Sequence, residues 1–166
     1  MKLVKMERLG TVLIVLFTFI LSNLYLSTNW GFFRTISASN SSIMEQMKVI
    51  YFSLVFFIAI EMLFKLQYND NFFFAKAISS YILVLILPML FYTFKNMFGG
   101  MNIYIYAVLV FLSALICQSF SCKILLDEQN MTVKGKLISI MSIVILGIML
   151  VYFSYNPLNT PIFTAS

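Results

Sequence analysis

Polar and apolar positions along this chain fall into long blocks. Five stretches, at about residues 9–28, 45–66, 75–94, 101–122 and 137–155, are apolar around their whole circumference. They show neither a single 3.6-residue stripe nor strict alternation. A helix that is apolar on every side is surrounded by lipid or by other helices. A membrane-spanning β-barrel would show segments of about 10 residues alternating in polarity, and these do not. A bilayer core of roughly 30 Å takes about 20 residues of helix, and backbone groups in hydrocarbon must be satisfied within the segment. The pattern therefore predicts an all-α, polytopic transmembrane helical bundle with about five spans, forming one integral membrane domain over residues 1–166.

The first block follows Lys2, Lys5 and Arg8, an opening that resembles a secretory signal. Its apolar run is longer than the about 7–15 residues of a signal core and leads to no convincing small-residue cleavage site, so it reads as an uncleaved span. The second block has the shortest uninterrupted apolar part, Val49 to Ile60, and length alone would also allow a re-entrant segment. Pro88 sits inside the third block as a kink candidate. Gly99-Gly100 marks a turn, and Gly147 suggests close helix packing. The stretch from Lys123 to Lys136 is the most polar connection, with Asp127, Glu128, Gln129 and Asn130.

Composition strengthens this picture. The chain is 61% hydrophobic and 10% charged, with a mean hydropathy of +0.97. A soluble domain carries about 25% charged residues. The net charge of +5 forms no basic stripe, which argues against a nucleic-acid partner; the lipid bilayer is the expected one. The basic residues lie between the blocks and act as topology signals. Lys2, Lys5, Arg8, Lys65, Lys76, Lys123, Lys134 and Lys136 fall on one side, and Arg34, Lys48 and Lys95 on the other. The bias predicts a cell-membrane protein with its N-terminus cytoplasmic and its C-terminus outside. Trp30, Tyr25, Tyr92 and Tyr155 then fall at the outer interface.

The chemistry is sparse. There is no histidine, so the commonest metal ligand and the commonest base near neutral pH are missing. Cys117 and Cys122 are five residues apart, do not share a helix face, and read as buried free thiols. No catalytic constellation, metal set or cofactor motif emerges. Glu61, a carboxylate inside a span, is a functional candidate by default. Its bland reading is a helical ion pair with Lys65, four residues on. Gln118 lies at a similar depth on the fourth span, and Ser79 and Ser80 on the third; hydrogen-bonding glue between helices is the plain role for all three. On the other side of the membrane, Ser42 and Glu45 have capping-box spacing, so a helix should begin there. Arg34 is the nearby partner for Glu45, apart from Lys48.

Two short segments carry a family resemblance. Asn40, Ser42, Glu45 and Lys48 match a pattern N-E-S-V-W-E-H-L-K, and Pro157, Pro161 and Phe163 match P-P-H-x-P-L-F. On these, and on the spacing of the apolar runs, the chain resembles an uncharacterised family of small multi-pass bacterial membrane proteins. Ser41, Met44 and Leu158 depart from the pattern. So do Gln46 and Asn159, which stand where the family has histidines. Amides hydrogen-bond but do not titrate near neutral pH, so a proton or metal role of those histidines would not carry over. Chain topology brings Arg34, Asn40, Ser42, Glu45 and Gln46 to the outer face. A tail folding back through Leu158, Ile162 and Phe163 would bring Asn159 to the same place as an outer binding site.

Glu61, Lys65 and Gln118 form the competing intramembrane candidate. The function expected is non-catalytic: binding a small ligand, transport, or an accessory role beside other membrane proteins. The alternatives are a structural subunit of a larger membrane complex and a membrane enzyme.

Overall fold

The computed structural model describes residues 2–64, 69–127, 130–160 and 162–163, without the side chains of Lys2 and Leu26. Lys65, Leu66, Glu128, Gln129 and Pro161, which entered the sequence reading, lie outside the described residues. The described residues form five long α-helices and one short 3₁₀ turn: α1 (Lys2–Thr28), a turn at Phe33–Thr35, α2 (Ile43–Leu63), α3 (Phe72–Phe98), α4 (Ile103–Leu126) and α5 (Val133–Tyr155). Each expected block lies on one of them. Helices α2, α3, α4 and α5 are long and apolar enough to cross a membrane. Helix α1 is 27 residues long, and no charged residue occurs between Leu9 and Thr28.

Local chemistry sets the helix ends. Asn29 terminates α1 in the left-handed region at φ 53°, a conformation Asn tolerates better than most residues. Gly99 does the same for α3 at φ 70°, its N–H donating to the Lys95 carbonyl. Asn102 and Thr132 cap α4 and α5 by accepting from the third backbone N–H beyond them, a bond typically worth about 1 kcal/mol. Pro88 lies within a helix that remains continuous from Phe72 to Phe98.

Helices α1, α2, α3 and α4 form a ring in which each packs on the next and α4 closes on α1. Helix α5 lies outside the ring, against α2 and α3. Neighbours within the ring run antiparallel, and α5 runs antiparallel to α2 and parallel to α3. The near end of the bundle gathers the N-termini of α1, α3 and α5 and the C-termini of α2 and α4; the far end gathers the rest. Helix α2 packs against α1, α3 and α5, and this least apolar of the four qualifying helices is also the most buried, while the most apolar, α5, is the least. A helix enclosed by protein can keep polar groups that hydrocarbon would not solvate.

Small residues set the closest approaches. A Cβ on Gly10 would lie 2.4 Å from Phe57 and 2.1 Å from the Gln118 amide, so α1 sits tight between α2 and α4. Gly147 lets Tyr51 approach to 3.0 Å of the equivalent position, and the Tyr51 hydroxyl donates to the Ile143 carbonyl at 2.6 Å, joining α5 to α2.

Candidate functional site

Two clusters of buried charge lie at opposite ends of the bundle. The far-end cluster gathers most of the residues that the sequence reading expected at the outer face. Helix α2 begins at Ile43 with Ser42 as its cap, the Ser42 hydroxyl accepting from the Glu45 N–H at 3.4 Å. The expected reciprocal half of a capping box does not form. The Ser42 N–H donates to the Asn40 side chain at 2.9 Å, and the Glu45 carboxylate turns away to accept from the Ser39 N–H at 2.7 Å.

Lys48, and not Arg34, is the cation that pairs with Glu45, at 2.8 Å. Both residues are on α2, one turn apart, so the helix itself presents them together. The Lys48 ammonium also donates to the Ser154 hydroxyl at 2.9 Å and to the Arg34 carbonyl at 2.8 Å, while the Ser154 hydroxyl donates to Glu45. Arg34 places its guanidinium over the Tyr155 ring, 4.8 Å from the centroid. All three ammonium donors are used, and both carboxylate oxygens are bonded. The Lys48–Glu45–Ser154 network is electroneutral and fully hydrogen-bonded, and it ties α2, α5 and the α1–α2 connection together; beside it, the Arg34 Nε is buried without a hydrogen-bond partner.

Gln46 and Asn159 are not in that network. Gln46 accepts from Tyr106 of α4, and the Asn159 side chain is exposed. The tail does fold back: the Met44 N–H donates to the Ile162 carbonyl at 3.1 Å, and Phe163 packs edge-on against Phe153 at 5.9 Å.

The near-end cluster lies on the axis of the four-helix ring. Glu61 of α2 pairs with Lys76 of α3 at 2.7 Å, while Lys65 is outside the described residues. The same ammonium pairs with Glu7 of α1 at 2.7 Å. Ser121 of α4 donates to Glu7 at 3.0 Å. Glu7, Glu61 and Lys76 are all at most 2% exposed, and Lys76 lies 5.3 and 5.6 Å from the centroids of Phe57 and Phe72. Each ring helix contributes one group.

This cluster differs from the first in two respects. With every group ionised it holds two carboxylates and one ammonium, a net charge of −1. It is also unsaturated: Glu7 Oε2 and both polar atoms of the Gln118 amide are buried without a hydrogen-bond partner. Gln118 is therefore not the glue its position suggested. The sulfur of Cys117, beside it, donates to the Ser79 carbonyl at 3.3 Å, and both cysteines are free thiols.

Glu7 and Gln118 line the floor of a groove between α1 and α4, with a volume of about 670 Å³. That size is typical of small-molecule sites. Arg8 and Lys123 stand beside it, with Val12, Phe111 and Leu115 among its apolar walls. Among the described residues, no group of three or more His, Cys, Asp or Glu side chains is placed to hold a metal ion.

Sequence reading missed Glu7 and Lys76, because each borders an apolar block and looked like a flanking charge. Lys76 was counted among the topology signals of a loop; it is fully buried in the second turn of α3. A signal was available. On α1, Glu7, Gly10, Thr11, Ile14, Thr18 and Leu21 recur at helical spacing as a largely small or polar stripe, and all are buried. Such a stripe marks a helix-contact face in a membrane bundle.

The helical fold agrees with the resemblance read from the sequence. The chain belongs to a family of unknown function, DUF6512, whose profile matches residues 2–166. No curated protein and no solved structure matches it.

Proposed function

We propose that this protein crosses the cell membrane five times, with the near end of the bundle cytoplasmic, and acts there as a non-catalytic binding or transport protein. One observation carries the functional part. The near-end cluster keeps three buried polar atoms without partners, on Glu7 and Gln118, at the floor of a groove, whereas at the far end the Lys48–Glu45 pair is fully bonded and the one such atom among the described residues, Arg34 Nε, lines no such groove. A buried unpartnered polar group costs about 1–3 kcal/mol. Retaining several beside an accessible groove is economical only if a ligand completes them. The orientation rests on the basic-residue bias. Burial of Lys76 and Lys48 removes one charge from each side of that count and leaves the bias intact.

Reporter fusions after Asn130 and after Ser166 test the topology: the first should report inside and the second outside, and any other pattern defeats it. For the site, purified protein is analysed for co-purifying molecules. Gln118→Leu should fold as well as the parent, because it removes an amide that has no protein partner, yet lose the bound species. A variant that retains every species the parent retains would refute the site. A co-purifying protein partner in its place would favour a structural subunit.

A further inference from the structure

We infer that the α1–α4 groove is a binding site for a net-anionic phospholipid; this rests on the proposed binding role of the near end. The groove is amphipathic along its length. Its α4 wall runs from Phe111 to Leu126, roughly 22 Å of helix at about 1.5 Å per residue. Gln118, Ser119, Cys122 and Lys123 lie toward the near end of that wall, and Phe111 and Leu115 lie deeper. On α1, Glu7 and Arg8 likewise precede Val12. A ligand matching that gradient has a charged head at the near end and an apolar body directed into the bundle's length.

The charges select its sign. Arg8 and Lys123 are exposed at the rim, and their side chains enter no ion pair or hydrogen bond among the described residues. Basic pockets between helices on the cytoplasmic side suit anionic headgroups. Glu7, the acid on the floor, has its other oxygen engaged by Lys76 and Ser121. A zwitterionic headgroup would bring its own ammonium against the two rim cations, and among the described residues lining the groove the one acid is Glu7, buried at its floor.

Depth matches as well. Gln118 is five residues below Lys123 on α4, roughly 7.5 Å along the axis. With a phosphate between Arg8 and Lys123, the Gln118 amide lies near the level of a glycerol ester carbonyl. Gln118 is 3% exposed, lacks a protein partner and lines the groove, so such a carbonyl supplies the acceptor its N–H₂ group lacks. Val12, Phe111 and Leu115 are 59%, 43% and 42% exposed, which leaves the groove open sideways for a lipid to enter from the bilayer.

The test uses the full chain in phosphatidylcholine nanodiscs containing a minor fraction of phosphatidylglycerol, followed by detergent extraction and quantification of retained lipid by mass spectrometry. The parent should enrich phosphatidylglycerol over phosphatidylcholine. Removing both rim charges, Arg8→Gln with Lys123→Gln, should lower that enrichment about tenfold. Lys5→Gln with Lys134→Gln removes two exposed charges outside the groove and should leave it within about twofold.

Equal retention of the two lipids overturns the inference, as does an equal loss in the Lys5/Lys134 control. Added inorganic phosphate should not displace the lipid; displacement would mark a free-phosphate site and also overturn it. If lipid selectivity fails while another molecule is bound and lost in Gln118→Leu, the lipid assignment falls and the binding role stands. If Gln118→Leu retains everything the parent does, both fall.

Discussion

Replacing Lys76 by Met removes one ammonium and keeps the chain's volume, so it isolates the charge at the centre of the near-end cluster. In the native protein the Lys76 ammonium lies 2.7 Å from Glu7 and 2.7 Å from Glu61, with all three side chains excluded from solvent. Without it, two carboxylates from neighbouring helices face each other with no cation between them. Breaking a single buried pair by removing one partner costs about 3–5 kcal/mol. The loss of ring contacts with Phe57 and Phe72 adds to this, and the apolar burial of Met offsets part of it. About 4 kcal/mol is expected, which for a chain of this size corresponds to roughly 10 °C in melting temperature.

Glu61→Gln sets the contrast. It removes the excess negative charge, keeps a hydrogen-bonding group, and leaves the Glu7–Lys76 pair neutral, so it should shift stability by less than about 1 kcal/mol. The neutral triple variant, Glu7→Gln with Glu61→Gln and Lys76→Met, should recover at least half of what Lys76→Met alone loses, because no uncompensated charge remains. Thermal unfolding followed by circular dichroism in one detergent measures all three. A Lys76→Met protein melting within about 2 °C of the parent would refute the account, and so would a triple variant no better than Lys76→Met.

Two further substitutions probe other parts of the bundle by the same assay. Lys48→Met strips the far-end cluster of the donor shared by Glu45, Ser154 and the Arg34 carbonyl and should lower stability by about 3–5 kcal/mol, while leaving lipid retention at the near end unchanged. Gly10→Ala forces a methyl group against the Phe57 ring, 2.4 Å from the ideal Cβ position. It should cost about 1–3 kcal/mol by overpacking and weaken ligand retention through the displaced Gln118 amide.

The helices were legible because hydrocarbon imposes a coarse rule on sequence. A backbone with no water must be helical, and its lipid-facing side chains must be apolar. Helix ends were legible where a single residue decides them, as with Ser42 before α2 and Gly99 after α3. Charge partners were not legible, because they depend on which helices meet. Glu61 stood out as a carboxylate in a span, and sequence spacing offered Lys65. The helix ring brings Lys76, 15 positions away, and Glu7, from the neighbouring helix α1. Glu45 shows the converse. Its partner is local, on its own helix, yet the bond from Ser39 and the hydroxyl of Ser154, 109 residues distant, decide which way its carboxylate points.

The two clusters answer the same physical demand differently. An ion in a bundle interior must recover the solvation it loses, and the far-end pair does so: Lys48 and Glu45 neutralise each other, and backbone and serine groups fill their remaining valences. Such a network holds the α1–α2 connection, α5 and α2 in one arrangement and has no valence left for a ligand. At the near end, one lysine serves two carboxylates, and Gln118 is buried with neither its donors nor its acceptor used. The charged groups of that cluster lie close to helix termini. Glu61 is two residues from the end of α2, and Lys76 four residues from the start of α3, so in the proposed orientation water and headgroups are about a helical turn from these charges. Full neutralisation is least demanding at that depth, and a bound headgroup or ester group can reach the unpaired atoms there. A cluster evolved for stability alone would gain from replacing Gln118 with an apolar residue and from losing one acid. Keeping both at the wall of a groove open to the bilayer is the arrangement expected of a site that exchanges its last hydrogen bonds with a ligand.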